Sequence, residues 1–220
     1  MSEWWTYSLR DFLLFSPRTY YRLFELYNEA IWPAHVAAVA LGLASLFLIR
    51  RGDGRAIAAI FAALWLWIAV AFHLERYATI NWAATCFAAA FALQGALLLW
   101  TGVGRAALPI RLDFVGRAGF ALFLFALVVQ PAIGALLRNW RQVELFGLAP
   151  DPTALATLGA LVMAERIHWH LLVVPLLWCV ISGLTLIAME ASDAFVALAL
   201  AALALLLAAW KTVAATRDAR

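Results

Sequence analysis

Charge is scarce in this chain. Only 13% of its 220 residues are Asp, Glu, Lys or Arg, while 66% are hydrophobic. A soluble domain carries about a quarter charged residues. The shortage excludes an ordinary soluble globule and a disordered chain, and a mean hydropathy of +0.90 agrees. The formal net charge is +3. Its basic residues fall between apolar runs, where they set topology, so no nucleic-acid partner is expected. Cysteine is rarer still. Cys86 and Cys179 both lie inside apolar runs and are expected to be buried free thiols, not a disulfide. Residues 1–30 lack a basic stretch followed by an unbroken apolar core, so they are not expected to be a cleaved leader. No CxxCH, HExxH, HxxxH or GxSxG appears, and no phosphate loop, repeat or low-complexity tail.

What remains is a series of apolar runs long enough to cross a bilayer, which takes about 20 residues. The stretch RIHWHLLVVPLLWCVISGLTLIAM, residues 166–189, organises the rest. At helical spacing His168, Leu171, Pro175, Trp178, Ser182, Thr185 and Met189 share one stripe, and Leu, Val and Ile fill the other sides. A membrane helix with one polar stripe must turn it to protein or to a water-filled cavity. The other runs are residues 31–49, 56–74, 80–100, 118–137, 151–164 and 194–210. The fold class is therefore an all-α, polytopic bundle of about seven spans, residues 31–212, with a tail at 213–220. The run at 151–164 is short for a full crossing, and 194–210, almost pure Ala, Leu and Val, reads as peripheral packing.

Residues 1–30 are too charged to span. Trp4, Trp5, Leu9, Phe12 and Leu13 can form one apolar face, and Tyr20, Leu23, Phe24 and Tyr27 another. Ser16-Pro17 reads as a helix start. An amphipathic segment in the membrane interface is expected, with a lid over the bundle mouth as the rival. With seven spans, Arg50, Arg51, Arg55, Arg105, Arg111, Arg117, Arg166, Lys211, Arg217 and Arg220 fall on one side. The positive-inside rule then puts the N-terminus outside and the C-terminus in the cytoplasm of a bacterial inner membrane. Trp32, Trp82 and Trp140 mark the outer interface; Trp100, Trp169 and Trp210 mark the inner one.

Polar residues gather near the outer side in this arrangement. Face-sharing sets are Asn28, Trp32, His35, Val39 and Gly42 in the first span, and Trp65, Ala69, His73 and Arg76 in the second. In the third they are Asn81, Thr85, Ala88, Ala92 and Gly95. His35, His73, Arg76, Tyr77, Asn81, Gln130, Asp151, Trp178, Ser182 and Thr185 can line one outward-facing pocket for a small solute. They can equally be interhelical hydrogen bonds and interface anchors. Asp151-Pro152 reads first as an N-cap and first-turn proline, and second as a proton- or cation-coupling carboxylate. Cofactors are left open: His35 and His73, at similar depth, are the one pair that could hold haem or a metal ion. His168 and His170 cannot share an ion on a helix, being about 200° apart. Only a non-helical start to that span would bring them together.

The stretches DFLLFSPRTYYRLFELYN, AFHLERYATINWAATCFAAAF, LFGLAPDPTALATLG and PLLWCVISGLTL resemble a family of uncharacterised bacterial multi-pass membrane proteins, a domain of unknown function. The resemblance covers nearly the whole chain, and some members are loosely labelled transporter permeases. The chain is also faintly similar to seven-span hydrolases of the ceramidase and adiponectin-receptor type. Their HxxxH metal pair is absent here, so no catalytic residue carries over. The reading that follows is binding or transport of a small solute. A haem- or metal-dependent membrane enzyme or electron carrier is the first rival. An accessory subunit is the second, with a partner membrane subunit or a second copy against its polar faces.

Overall fold

The computed structural model describes residue 11 and residues 13–218. Among these the regular elements are all helices, and the β-type contact is an isolated antiparallel bridge between Ile110 and Ala164. The expected apolar face through Trp4, Trp5, Leu9 and Phe12 lies outside the described residues.

The helices are α1 (Pro17–Ala30), α2 (Ala34–Arg51), α3 (Gly54–Trp67) and α4 (Ala84–Leu98), then α5 (Phe114–Leu124), α6 (Gln130–Leu137), α7 (Pro150–Met163), α8 (Trp169–Ala188) and α9 (Ala194–Asp218). π-helical turns extend α3 over Ile68–Leu74 and α4 over Leu99–Gly104, and join α5 to α6 over Phe125–Val129. The last turn precedes Pro131, whose missing N–H breaks the α-helical ladder. Joined in this way, six helices are long and apolar enough to cross a membrane: Ala34–Arg51, Gly54–Thr79, Ala84–Gly104, Phe114–Leu137, Trp169–Ala188 and Ala194–Arg217.

The remaining helix of the bundle, α7, has 14 residues, all buried. At 1.5 Å per residue it is about 21 Å long, against about 30 Å for a hydrocarbon core. α3, α5, α8 and α9 surround it. Protein covers every side of it, so its residues are apolar apart from Asp151, Thr153 and Thr157, which are hydrogen-bonded inside the bundle. Close approach to α5 depends on two glycines. A Cβ on Gly119 would lie 2.7 Å from the Gly159 carbonyl oxygen, and one on Gly159 would lie 2.6 Å from that of Gly119.

A buried helix must find internal partners for its end groups. At the start of α7 the Thr153 hydroxyl donates to the Ala149 carbonyl and accepts from the Gly147 N–H, both at 2.8 Å. At its end Lys211 Nζ, from α9, donates to the carbonyls of Val162 (3.1 Å) and Ala164 (2.8 Å). The same logic operates in α8. Pro175 has no N–H to offer the carbonyl of Leu171 four residues earlier, and Gln94 Nε2 from α4 donates to that oxygen at 3.0 Å.

Several expectations are corrected. The first-span stripe is cut at Pro33, so Asn28 belongs to α1. The buried face of α2 is Ala38, Gly42, Ser45 and Ile49, and Val39 faces outward. Cys86 is free but exposed, unlike buried Cys179. The connection between the expected runs 80–100 and 118–137 is shorter than expected, because π-helical turns carry α4 to Gly104 and Asp113 caps α5 by accepting from the Gly116 N–H at 2.7 Å. α9 packs as expected at the edge of the bundle: its alanine stripe, Ala194, Ala197, Ala201, Ala204 and Ala208, is buried against α8, α7 and α5, while Phe195, Leu203, Leu206 and Trp210 face outward.

With α7 counted, successive helices of the bundle reverse direction, so the bundle has two ends. Trp32, Trp82 and Trp140 sit at the end where α7 begins, Trp100, Trp169 and Trp210 at the other, and all six are exposed. α1 packs its buried face of Tyr20, Leu23, Phe24 and Tyr27 across the first of these ends. Tyr27 Oη donates to the Leu148 carbonyl at 3.0 Å. Asn28 Nδ2 donates to the carbonyls of Arg141 (2.8 Å) and Val143 (3.0 Å). These bonds tie α1 to the connection between α6 and α7.

Candidate functional site

Asp151 does not cap its helix. α7 begins with Pro150, and Ala149 is the N-cap with no side-chain bond. Pro150 supplies the fixed φ suited to a first helical position and moves the start one residue earlier than expected. Asp151 therefore sits inside the first turn and points into the bundle. One carboxylate oxygen, Oδ1, accepts from Trp178 Nε1 at 2.7 Å; the other, Oδ2, accepts from the Ser182 hydroxyl at 2.5 Å. Both donors lie on the α8 stripe, one turn apart. Of that stripe Leu171, Pro175, Trp178, Ser182 and Met189 are buried.

Around Asp151 stand residues that the sequence reading did not select. Arg138, just past α6, reaches Glu144 Oε1 through Nη1 at 3.2 Å and Asp193 Oδ2 through Nη2. Its guanidinium also lies over the Tyr21 ring of α1, 4.9 Å from the centroid. Gln130, Arg138, Glu144, Asp151 and Asp193 line one small cavity of about 30 Å³, with Ile133, Leu186 and Val196 among its apolar walls. That volume holds a water-sized occupant, since one water needs about 10–15 Å³ by the same measure. Three carboxyl groups here face one guanidinium. Two acceptors on the wall, Glu144 Oε2 and Gln130 Oε1, are buried and have no hydrogen-bond partner. Glu144 lies in the α6–α7 connection, outside the long apolar helices. Burial pushes its carboxyl up to about 8, helped by Asp151 and opposed by Arg138.

Not all ten selected residues meet here. Asp151, Trp178 and Ser182 are hydrogen-bonded together, and Gln130 shares their cavity. His73 and Tyr77 form a neighbouring aromatic cage. The His73 ring lies 4.4 Å from Phe91 and 5.0 Å from Trp178, centroid to centroid, and 6.1 Å from Tyr77. His73 is fully buried and neither ring nitrogen has a partner. Thr185 donates to the Ile181 carbonyl of its own helix, and Asn81 Oδ1 accepts from the Ala83 N–H. Arg76 lines a separate groove between α1 and residues 75–80. His35 lies in an open cleft of about 490 Å³ with Trp32, Trp140 and Arg141.

Among the described residues no group of three or more His, Cys, Asp or Glu is placed to hold a metal ion. His168 departs from the expected stripe. It is the N-cap of α8, with ψ at 86°, so the helix starts after it. The non-helical start brings the His168 and His170 rings to 5.9 Å, edge to face. Yet the His168 Nδ1 atom is engaged by the Arg166 carbonyl and His170 Nε2 by the Thr101 hydroxyl, both at 3.0 Å.

A family model described as "Family of unknown function (DUF6064)" matches residues 18–219. The chain belongs to that family. No curated protein and no solved structure matches it. The match takes in α1 apart from Pro17, every long helix and all residues of the Asp151 chamber.

Ser182 gives a direct test of the chamber wall. Ser182→Leu removes a donor to Asp151 and overfills a buried site, so a loss of about 1–3 kcal/mol is expected. Val180 is exposed on the opposite side of α8, and Val180→Leu should stay within about 0.5 kcal/mol of the parent. Thermal unfolding in detergent checks both. Equal melting temperatures for the two variants would mean that the Ser182 side is not packed as described.

Proposed function

We propose that this is a multi-pass protein of a bacterial inner membrane that binds or transports a small solute in the Asp151 chamber. The observation that carries the reading is a carboxylate buried at the start of a buried helix. It is gripped by two side-chain donors and adjoins a cavity with two unused acceptors. Ionisable groups are costly inside a membrane bundle and mark solute or ion paths. Excess acid over base in the chamber favours a small cationic or hydrogen-bond-donating solute over an anion.

In this reading α7 is the seventh crossing, shortened because protein surrounds it and no lipid must be matched. The exposed tryptophans at the two ends fit interfacial belts, and the outward Val36, Leu43 and Phe47 of α2 fit contact with acyl chains. α1 rests in the outer interface and covers the chamber end. Reporter fusions after Arg55, Arg111 and Arg220 should all read cytoplasmic. A periplasmic signal at Arg220 alone would remove α7 from the crossings. The solute reading is tested by thermal-shift screening of the purified chain against small cations, amines and neutral polar solutes, followed by uptake into proteoliposomes. Stabilisation should disappear in Asp151→Asn; stabilisation retained there would move the site elsewhere.

A further inference from the structure

The chamber wall presents a hydrogen-bonding deficit that identifies an occupant. Glu144 Oε2 and Gln130 Oε1 are both acceptors, both buried, and both without a donor, and both residues line the 30 Å³ cavity. Buried acceptors of this kind are rarely left unpaired, because each forfeits its hydration without return. Two acceptors facing one cavity cannot satisfy each other. Some hydrogen donor of water size must be supplied.

The three carboxyl groups are not equivalent recipients of a proton. Asp151 has an N–H donor on one oxygen and an O–H donor on the other. Asp193 shares the Arg138 fork and its side chain is the most accessible of the Arg138 pairings. Glu144 has one oxygen on Arg138 and the other facing the cavity alone. A single guanidinium cannot neutralise two buried carboxylates, Glu144 and Asp151, and a third, partly exposed one, Asp193, and like charges confined together drive one of them to protonate.

We propose that Glu144 is a proton-loading site: its Oε2 takes up one exchangeable proton from bulk water. The new O–H then donates, through one water held in the cavity, to Gln130 Oε1. The inference deepens the solute reading and rests on it for biological use: a proton on Glu144 would be the coupling ion of the same chamber. The groups that face Glu144 are Arg138 beyond α6, Asp151 of α7, Asp193 before α9, and Tyr20 and Tyr21 of α1. Asp151 and Asp193 favour the protonated form, and Arg138 opposes it. Burial pushes the same carboxyl up to about 8, in the direction the geometry requires.

The folded state keeps the proton at pH values where the unfolded state has released it, so stability falls as pH rises from the ordinary Glu value of about 4.3 to the raised one. Above the raised value it is flat. The test uses the full chain in detergent between about pH 5 and pH 9.5, a window spanning the raised value and most of the fall. Infrared difference spectra should show a protonated-carboxyl C=O band that disappears with a midpoint near the raised Glu144 value. Glu144→Gln keeps the contact to Arg138, lacks the band, and should lose the pH-dependent fall in melting temperature.

A band that survives in Glu144→Gln and vanishes in Asp151→Asn would place the proton on Asp151 and overturn the proposal. So would a midpoint that moves when sodium replaces choline at constant ionic strength, because a metal ion would then be the occupant. The solute screen on the same samples separates the two readings. A Glu144 band with no stabilising solute leaves the proton site standing and removes the solute function.

Discussion

Arg138→Met should destabilise the folded chain by about 3–5 kcal/mol, the range for breaking a buried ion pair from one side. The side chains of Arg138, Glu144 and Asp193 are 11%, 11% and 14% exposed, so solvent screens them little. Methionine fills much of the volume but leaves Asp193 without its cation and Glu144 with both oxygens unpaired. Arg138→Lys should recover part of the loss, since one ammonium cannot serve two carboxylates with the planar fork of a guanidinium. The double variant Arg138→Met/Asp193→Asn should lose less than the sum of its single variants, the mark of a shared network. Thermal and denaturant unfolding in detergent measure all four. If Arg138→Met unfolded within about 0.5 kcal/mol of the parent, the range of an ordinary surface change, the ion-pair network would contribute nothing to the fold.

Asp151 separates stability from function. Asp151→Leu strands the Trp178 N–H and the Ser182 hydroxyl, each at a cost of about 1–3 kcal/mol. A loss of about 2–6 kcal/mol is therefore expected, enough to empty the membrane fraction of folded protein. Asp151→Asn keeps an acceptor for Trp178, and its amide can donate to the Ser182 oxygen. Its folded yield should stay near the parent while the negative charge in the chamber is lost. If the proposed solute reading holds, solute stabilisation and uptake vanish in a protein that still melts cooperatively. If Asp151→Leu were as stable as the parent, the two hydrogen bonds to α8 would not be formed.

Much of this was legible along the chain. Apolar runs without charge located the six long helices, because backbone groups in a bilayer must be satisfied within the segment. The 3.6-residue period of 166–189 placed Trp178 and Ser182 on the buried side of α8, and the lone carboxylate among prolines marked Asp151. Periodicity failed where backbone chemistry interrupts the ladder. Pro33 ends the register between Asn28 and His35, and His168 lies outside the helix it was counted on.

Sequence by itself determined that the chain is a helical bundle of apolar segments, because hydropathy and period are properties of neighbouring residues. Only the tertiary structure decided that α7 is the central element, that Asp151 turns inward to Trp178 and Ser182, and that Arg138, Glu144 and Asp193 complete the chamber. Those three residues sit at helix ends or in a connection. A charge there looks like any solvated or interfacial charge until packing removes the water around it. The chamber is a product of long-range contacts: Asp151 meets α8 residues 27 and 31 positions away, and Arg138 meets Asp193 at a separation of 55. No local pattern encodes such pairings, because their energy arises only when separate helices exclude water together.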